Sequence, residues 1–167
     1  MAAAAAPAGD VIIRPATDGD FDALVELDWS SAVHHVGLDP EFYRLPDRDA
    51  LAAFLRRRIA DPDREILVAV VAGDVVGMVD VTIAAEPDPG SIIRPVRTAD
   101  LGISVLDGWR RRGIGRALMA AAEQSARRRG AHQVVLDMSS ANSGALAFYQ
   151  SLGYGTHELV LRKPIGP

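Results

Sequence analysis

The sequence contains no cysteine among its 167 residues. This absence excludes disulfides, zinc sites built on thiolates and any acyl-cysteine intermediate. Stability must therefore come from packing, and a chain of this length with 49% hydrophobic residues can bury a sizeable core. Lysine is almost absent too. Of the 18 basic residues, 17 are arginines and Lys163 is the one lysine. Composition bias accounts for most of these arginines, while some are candidates for bidentate contacts with phosphate.

Long apolar runs and an excess of positive charge are also missing. No run approaches the roughly 18 apolar residues of a membrane span, and the alanine-rich residues 1–9 lack the basic and apolar regions of a signal peptide. A net charge of −4 and a pI near 5.5 argue against nucleic-acid and membrane partners. We therefore expect a cytoplasmic protein. Residues 10–167 are predicted to form one domain, and residues 1–9 a tail that is a candidate for disorder.

Hydrophobic periodicity and turn residues predict ten elements in the order β-α-α-β-β-β-α-β-α-β. The clearest local signal is the hairpin around Gly73-Asp74, which joins two runs rich in valine and isoleucine. Asp47 or Asp49 is the expected cap of the second helix. This order predicts an α/β (α+β) fold, in which helices pack on a mixed central sheet. The predicted strands are 11–14, 66–72, 75–84, 101–106, 133–138 and 157–161, and the predicted helices are 21–36, one ending at 59, 114–129 and 142–152.

The segment 105–116 combines three arginines and two glycines in a turn between a strand and a long helix. Glycine lets the backbone approach a ligand closely, and the first N–H groups of a helix favour an anion such as pyrophosphate. A Rossmann fingerprint would need a third glycine where Leu118 stands, and the Gly-Lys-Ser/Thr of a P-loop is absent. A solvated arginine turn that binds nothing is the alternative.

A second segment follows one strand later, where Asn142 precedes a short predicted helix. Ala145, Phe148, Tyr149 and Leu152 share one face of this helix. Asn142 is a good helix cap, and Tyr149 is either a packed aromatic residue or a functional one.

Taken together, the two segments resemble the GNAT superfamily of acetyl-CoA-dependent N-acetyltransferases. The family signature Gln/Arg-x-x-Gly-x-Gly/Ala fits Arg110, Gly113 and Gly115. The resemblance is most specific over 99–154, and the predicted element order agrees with it. The sequence differs from the family pattern at Asp107, where members often have proline. The second signature, Asn-x-x-Ala-x-x-x-Tyr-x-x-x-Gly-Phe/Tyr, fits Asn142, Ala145, Tyr149, Gly153 and Tyr154.

The resemblance implies acetyl-CoA as the cosubstrate and no metal. Backbone N–H groups of 110–115 would hold the pyrophosphate, and the strand 101–106 would bulge and splay from the next strand near Met138 to admit the pantetheine arm. An N–H near Val105 would polarise the thioester carbonyl. The cofactor-binding residues implied are Leu101, Ile103, Val105, Arg110, Arg111, Arg112, Gly113, Ile114, Gly115, Arg116, Asn142, Ala145, Phe148 and Tyr149.

The resemblance also places Tyr149 as the acid for the leaving thiolate. A phenol titrates near ~10 and a thiol near ~8.5, so the hydroxyl serves best as a hydrogen-bond donor while charge develops on sulfur. Without cysteine, direct attack by the amine is the simpler route. An alkylamine near pKa ~10.4 must first lose a proton, which costs about 4–5 kcal/mol at pH 7. A base or a desolvating pocket is therefore needed.

The base itself is left open by the sequence. Family bases often lie on the strand before the arginine turn, where Asp100 alternates onto the face opposite Ala99 and Leu101 unless the bulge redirects it. Glu86 and Asp88, in the preceding loop, are alternatives, and so is a chain of water molecules.

The acceptor is expected to be a primary amine on a small molecule or a peptide. Trp29, His35 and Tyr43, with the nearby Glu41 and Phe42, are candidates for its pocket, and core packing is the alternative for them. Neighbouring His34 and His35 project about 100° apart on a helix, which is poor geometry for a shared metal. A catalytically silent acetyl-CoA-binding module and a nucleotide-binding protein are competing functions. A homodimer is common in the family, but no residue here argues for it.

Overall fold

The computed structural model of the protein describes residues 10–163, 165 and 166, so the predicted tail 1–9 lies outside the described residues. The chain divides into two compact units, the first ending at Asp137 and the second beginning at Met138. That residues 10–167 form a single domain remains a prediction.

The first unit contains a five-stranded sheet in the order β1-β2-β3-β4-β5. The first three pairings are antiparallel, and β4 pairs with β5 in parallel. This mixed sheet with flanking helices confirms the predicted α/β (α+β) class. The strands are β1 Ile12–Pro15, β2 Arg64–Val71, β3 Asp74–Ile83, β4 Thr98–Val105 and β5 Gln133–Val135.

Three α-helices belong to the first unit and one to the second. No helix within 10–163, 165 and 166 is long and apolar enough to span a bilayer. Asp47 caps the second helix as expected, since its carboxylate accepts a hydrogen bond from the Ala50 N–H at 3.0 Å. The helices are α1 Phe21–Leu38, α2 Arg48–Ile59, α3 Ile114–Arg128 and, in the second unit, α4 Ser143–Gln150.

Helices α1 and α2 cover one face of the sheet. Their apolar residues recur at helical spacing and meet alternate residues of β2, which is how a helix stripe packs on a pleated surface. The resulting core cluster is Leu24, Leu27, Leu55, Ile66, Val68, Val70 and Met78.

Helix α3 packs on the opposite face and approaches β3 closely at Gly77. A Cβ at Gly77 would lie 3.1 Å from Leu118 Cδ1 and 3.2 Å from Val105 Cγ2, so a side chain here would require these neighbours to shift by a few tenths of an ångström. The buried face of α3 comprises Ile114, Leu118, Met119, Ala122, Ser125 and Ala126.

A buried network of charged side chains joins α1, α2 and the sheet. Asp80 of β3 is only 3% exposed and accepts hydrogen bonds from the guanidinium groups of Arg58 and Arg64. Arg58 also bonds Asp28 of α1, with Nη1 2.8 Å from Oδ2. Thr82 Oγ1 donates to the other oxygen of Asp80 at 3.1 Å. Two half-buried guanidinium groups thus face two carboxylates, and this pairing offsets the cost of removing the charges from water.

Two of the predicted strands are corrected by the structure. The strand predicted over 133–138 ends at Val135, because β4 and β5 pair no further than Asp100 and Val135. The strand predicted over 157–161 is wrong, since this segment has no strand conformation. Its Leu159, Val160 and Leu161 are 82–94% exposed. β-Branched and apolar residues favour a strand only where a neighbouring strand covers them, and none of the described strands does so here.

An ion pair ties the end of β1 to the start of α1. Arg14 binds the carboxylate of Asp20 with both guanidinium nitrogens, at 2.7 and 2.8 Å. The backbone N–H and hydroxyl of Thr17 also donate to Asp20, at 2.7 and 2.8 Å. These bonds outweigh burial and hold the pKa of Asp20 well below its usual range.

We predict that this site makes stability fall in acid. A carboxylate whose pKa is lower in the folded state stabilises the protein above the unfolded pKa of ~3.9, and this contribution disappears as pH falls through the folded pKa. The substitution Asp20→Asn should reduce the free energy of unfolding by about 2–3 kcal/mol at pH 7. Urea unfolding from pH 7 to pH 2 should show this difference shrinking below pH 4. Asp18→Asn, at an exposed neighbour, is the control, and a difference independent of pH would contradict the assignment.

Candidate active site

Strand β4 is paired unequally on its two edges. Its register with β3 is continuous from Ala99–Ile83 to Val105–Gly77, so the bulge predicted for this strand is wrong. Its pairing with β5 stops at Asp100–Val135, five residues before β4 ends. The pairing of β4 with β5 thus ends early, and the splay predicted near Met138 stays a prediction.

Backbone alternation decides which groups of β4 lie along this open edge. The Ala84 N–H donates to the Thr98 carbonyl and the Leu106 N–H donates to the Val76 carbonyl, so even-numbered residues of β4 bond to β3. Odd-numbered residues direct their N–H and C=O groups to the other edge. Ile103 and Val105 lie there beyond the end of β5, and Leu101 lies at the point where pairing stops.

The turn after β4 is held by its own side chains. The Arg110 guanidinium lies 2.9 Å from the carboxylate of Asp107 and donates through Nε to the Val105 carbonyl at 3.1 Å. The Arg112 guanidinium stacks 5.0 Å from the ring centroid of Trp109. The proline expected at Asp107 is thus replaced by a residue that fixes the turn through an ion pair.

This turn leads directly into the positive end of α3. Arg111 and Gly113 have φ values of 63° and 85°, a left-handed backbone that glycine adopts without strain. Gly113 precedes the helix, no side chain caps it, and its first turn carries no acidic residue. The N–H groups of the first turn and the helix dipole consequently favour an anion. Arg110, Arg111, Arg112 and Arg116 are all exposed around these groups, with Ile114 buried and Gly115 half-buried.

Helix α1 contributes to this region His34, which we considered from the sequence only as a metal ligand. Burial lowers the pKa of His34, and the positive charge of Arg110 lowers it further. The second half of α1 therefore lies within electrostatic reach of the arginine turn. Nothing in the sequence relates these two segments, because 76 positions separate them.

The even-numbered side chains of β4 lie on the face that α1 and α2 cover. The Ser104 hydroxyl donates to the Leu27 carbonyl of α1 at 3.3 Å, which fixes this orientation. Asp100 lies on the same face four residues earlier, as the alternation predicted. Burial raises the pKa of Asp100, the nearby carboxylate of Asp137 raises it further, and Arg64 opposes both. Asp100 itself is exposed, and so is its competitor Glu86 in the loop after β3.

The candidate acceptor residues lie along α1 and just after it. The His35 ring lies 5.0 Å from the Tyr43 ring, and its Nδ1 is 2.8 Å from the Ser31 carbonyl, so we assign the Nδ1 proton to this bond. Trp29 is half-buried, and the Arg48 guanidinium covers its ring at 4.3 Å. His35 and Tyr43 are therefore brought together, whereas the described contacts of Trp29 are with α2.

The second unit carries the remaining predicted residues. The Asn142 side chain caps α4 by accepting from the Ala145 N–H at 3.0 Å, so its structural role is confirmed. Tyr149 is half-buried on α4, with its ring 5.3 Å from Phe148 and 6.0 Å from Tyr154. Burial raises the pKa of Tyr149, which keeps its hydroxyl protonated at neutral pH.

A cavity of about 620 Å³ lies elsewhere in the first unit, between the start of α1, the end of α2 and the start of β2. It includes none of the predicted site residues. Two of the arginines that line it, Arg58 and Arg64, already bind Asp80.

Known proteins similar to this chain include two acetyltransferases. The aminoglycoside N(6')-acetyltransferase type 1 of Stenotrophomonas maltophilia is 29% identical over 158 residues, which cover 93% of this chain and 94% of that protein. The streptothricin acetyltransferase of Streptomyces lavendulae is 30% identical over 153 residues, covering 87% and 77%. A variant of the BH1408 protein of Bacillus halodurans has the same fold, with a TM-score of 0.85 at 21% identity, over 92% of this chain and 99% of that one.

The family model described as Acetyltransferase (GNAT) family matches residues 21–154, from the start of α1 through the tyrosine that follows α4. That span contains the unequally paired strand, the arginine turn and both signatures noted in the sequence. The chain belongs to the GNAT family and is an N-acetyltransferase.

Proposed function

We propose that this enzyme transfers an acetyl group directly from acetyl-CoA to a primary amine of a small, multiply charged cation. The observation that carries the proposal is the continuity of two binding features. The open backbone edge of β4 at Ile103 and Val105 leads straight into the uncapped N-terminus of α3. A ligand that combines amide groups with a pyrophosphate matches this sequence of donors and acceptors.

The residues fit acetyl-CoA in their chemistry. The N–H groups of 113–115 and the exposed arginines would hold the pyrophosphate. The N–H and C=O groups of Ile103 and the N–H of Val105 would pair with the amides of the pantetheine arm, as a neighbouring strand would, while the Val105 carbonyl already accepts from Arg110. The bound cosubstrate supplies the acetyl group as a thioester.

Two side chains are proposed to move protons. The Asp100 carboxylate removes a proton from the acceptor ammonium, and its raised pKa brings it closer to the range in which a base works at neutral pH. The Tyr149 hydroxyl donates a proton to the departing sulfur. A C–N bond forms and the C–S bond breaks, and the second proton of the nitrogen restores the Tyr149 hydroxyl. The products are an acetylated amine, a free thiol and one proton, which Asp100 releases to solvent.

A multiply charged acceptor is supported by charge on the acceptor side. The carboxylate of Asp137 lies close enough to raise the pKa of Asp100, and Arg64, which opposes this effect, is already bound to Asp80. Unbalanced negative charge of this kind attracts a polycation. The two relatives described above are named for aminoglycosides and streptothricin, which supports the same class.

An acceptor screen tests the function directly. Thiol release from acetyl-CoA would be followed with an aminoglycoside, a streptothricin, a linear diamine, an amino acid and a short peptide. The enzyme contributes no background, because it has no cysteine. We expect amine-dependent release with the polycations. Tight binding of acetyl-CoA without release from any amine would instead indicate a silent acetyl-CoA-binding module.

We predict that Tyr149→Phe lowers kcat by about 10²–10³-fold, the usual range for loss of a proton donor. The Kd for CoA should stay within about twofold, because the ring and its packing are retained. Tyr154→Phe, which removes a hydroxyl from the adjoining ring, is the matched control. Unchanged turnover in Tyr149→Phe would exclude this hydroxyl as the acid.

Asp100→Asn and Glu86→Gln separate the two candidate bases. The carboxylate is active when deprotonated, so kcat/KM should rise with pH through the raised pKa of Asp100. We expect Asp100→Asn to lower kcat/KM at pH 7 by about 10²-fold and to remove this acidic limb. Glu86→Gln should leave kcat/KM at pH 7 and the acidic limb of its pH profile unchanged. If instead Glu86→Gln removes the acidic limb and Asp100→Asn does not, Glu86 is the base. If both variants keep the acidic limb, a chain of water molecules is favoured as the route for the proton.

A further inference from the structure

Gly102 is an exposed glycine in the middle of β4. Its register partner on β3 is Asp80, which is 3% exposed beneath the Arg58 and Arg64 guanidinium groups. A Cβ built at Gly102 meets no heavy atom within 4 Å. On the face of the sheet toward α1 and α2, side chains therefore cover β3 at Asp80, whereas β4 is exposed at Gly102.

The limits of this opening are defined by neighbouring residues. Toward the arginine turn, Ser104 is bound to Leu27 of α1. In the other direction, Asp100 lies on the same face two residues away. We call the open space above Gly102, between Asp100 and Ser104, the acceptor recess.

The backbone at Gly102 does not itself require glycine. Its φ lies outside the left-handed region, and its N–H and C=O belong to the regular β3–β4 ladder. β-Branched residues favour such a position. The lack of a side chain is therefore not explained by the fold, in contrast to Gly77, where a Cβ would lie tightly against Leu118 of α3.

We propose that Gly102 determines the size of the acceptor, because its missing side chain admits an amine carried on a ring or a branched carbon to Asp100. This inference rests on the proposed function, in which Asp100 is the base. Any side chain at position 102 would project into the acceptor recess between the incoming amine and that carboxylate. A linear amine would still thread past a small side chain, whereas a ring would not.

The test is a volume series at this position. The variants Gly102→Ala, Gly102→Val and Gly102→Leu would be assayed with an aminoglycoside and a linear diamine. We expect kcat/KM for the aminoglycoside to fall stepwise, by roughly 10- to 100-fold in Gly102→Val, as expected for a steric clash. For the linear diamine the fall should stay within about threefold. The Kd for CoA should not change, because the backbone edge that faces it is retained.

Thr98→Val is the matched control, since it places the same side chain on the same face of β4, two residues before Asp100. Urea unfolding would verify that each variant is folded. Equal losses for both acceptors, or no loss for the aminoglycoside, would overturn the role of Gly102 while leaving acetyl transfer by the unmodified enzyme intact. An unmodified enzyme that acetylates the diamine and not the aminoglycoside would overturn it too. No transfer to any amine would overturn the proposed function and this inference together.

Discussion

The organisation of the site depends on the unequal pairing of β4. One edge of this strand is hydrogen-bonded to β3 along its full length, which makes it rigid. The other edge loses its neighbour after Asp100. An unpaired strand edge usually attracts another chain, and proteins normally cover it. Here the exposed donors and acceptors lie beside the positive end of α3, so the edge is suited to a ligand with amides and a pyrophosphate.

Because side chains and backbone groups alternate in direction along a strand, β4 presents three different sets of groups to its surroundings. The odd-numbered side chains, such as Leu101, pack toward α3 and anchor the strand in the core. The odd-numbered backbone groups lie along the open edge. The even-numbered side chains face α1 and α2, where Asp100 and Gly102 lie beside the network of Asp80. A shift of one residue in register would exchange these faces and place Asp100 in the core. The uninterrupted β3–β4 ladder prevents such a shift, and for this reason the absence of the predicted bulge matters.

Features set by local sequence were predictable, and features set by distant contacts were not. The hairpin at Gly73, the Asp47 cap, the arginine turn and the mixed-sheet class follow from residues within a few positions of one another, and they agree with the structure. The early end of β5 and the missing strand over 157–161 depend on which strand lies alongside, which periodicity does not reveal. The Asp80 network and the proximity of His34 to Arg110 join segments far apart in sequence. The sequence likewise did not indicate a role for Gly102, since Gly102 differs from Gly77 only in the space around it.

The claim that acetyl-CoA binds along the open edge of β4 is tested most directly by amide hydrogen exchange. The Ile103 N–H lies on the open edge, whereas the Gly102 N–H belongs to the ladder with β3. At saturating CoA, exchange at Ile103 should slow by at least about 10-fold, and exchange at Gly102 should change far less. Tight binding of CoA with unchanged exchange at Ile103 would contradict the account.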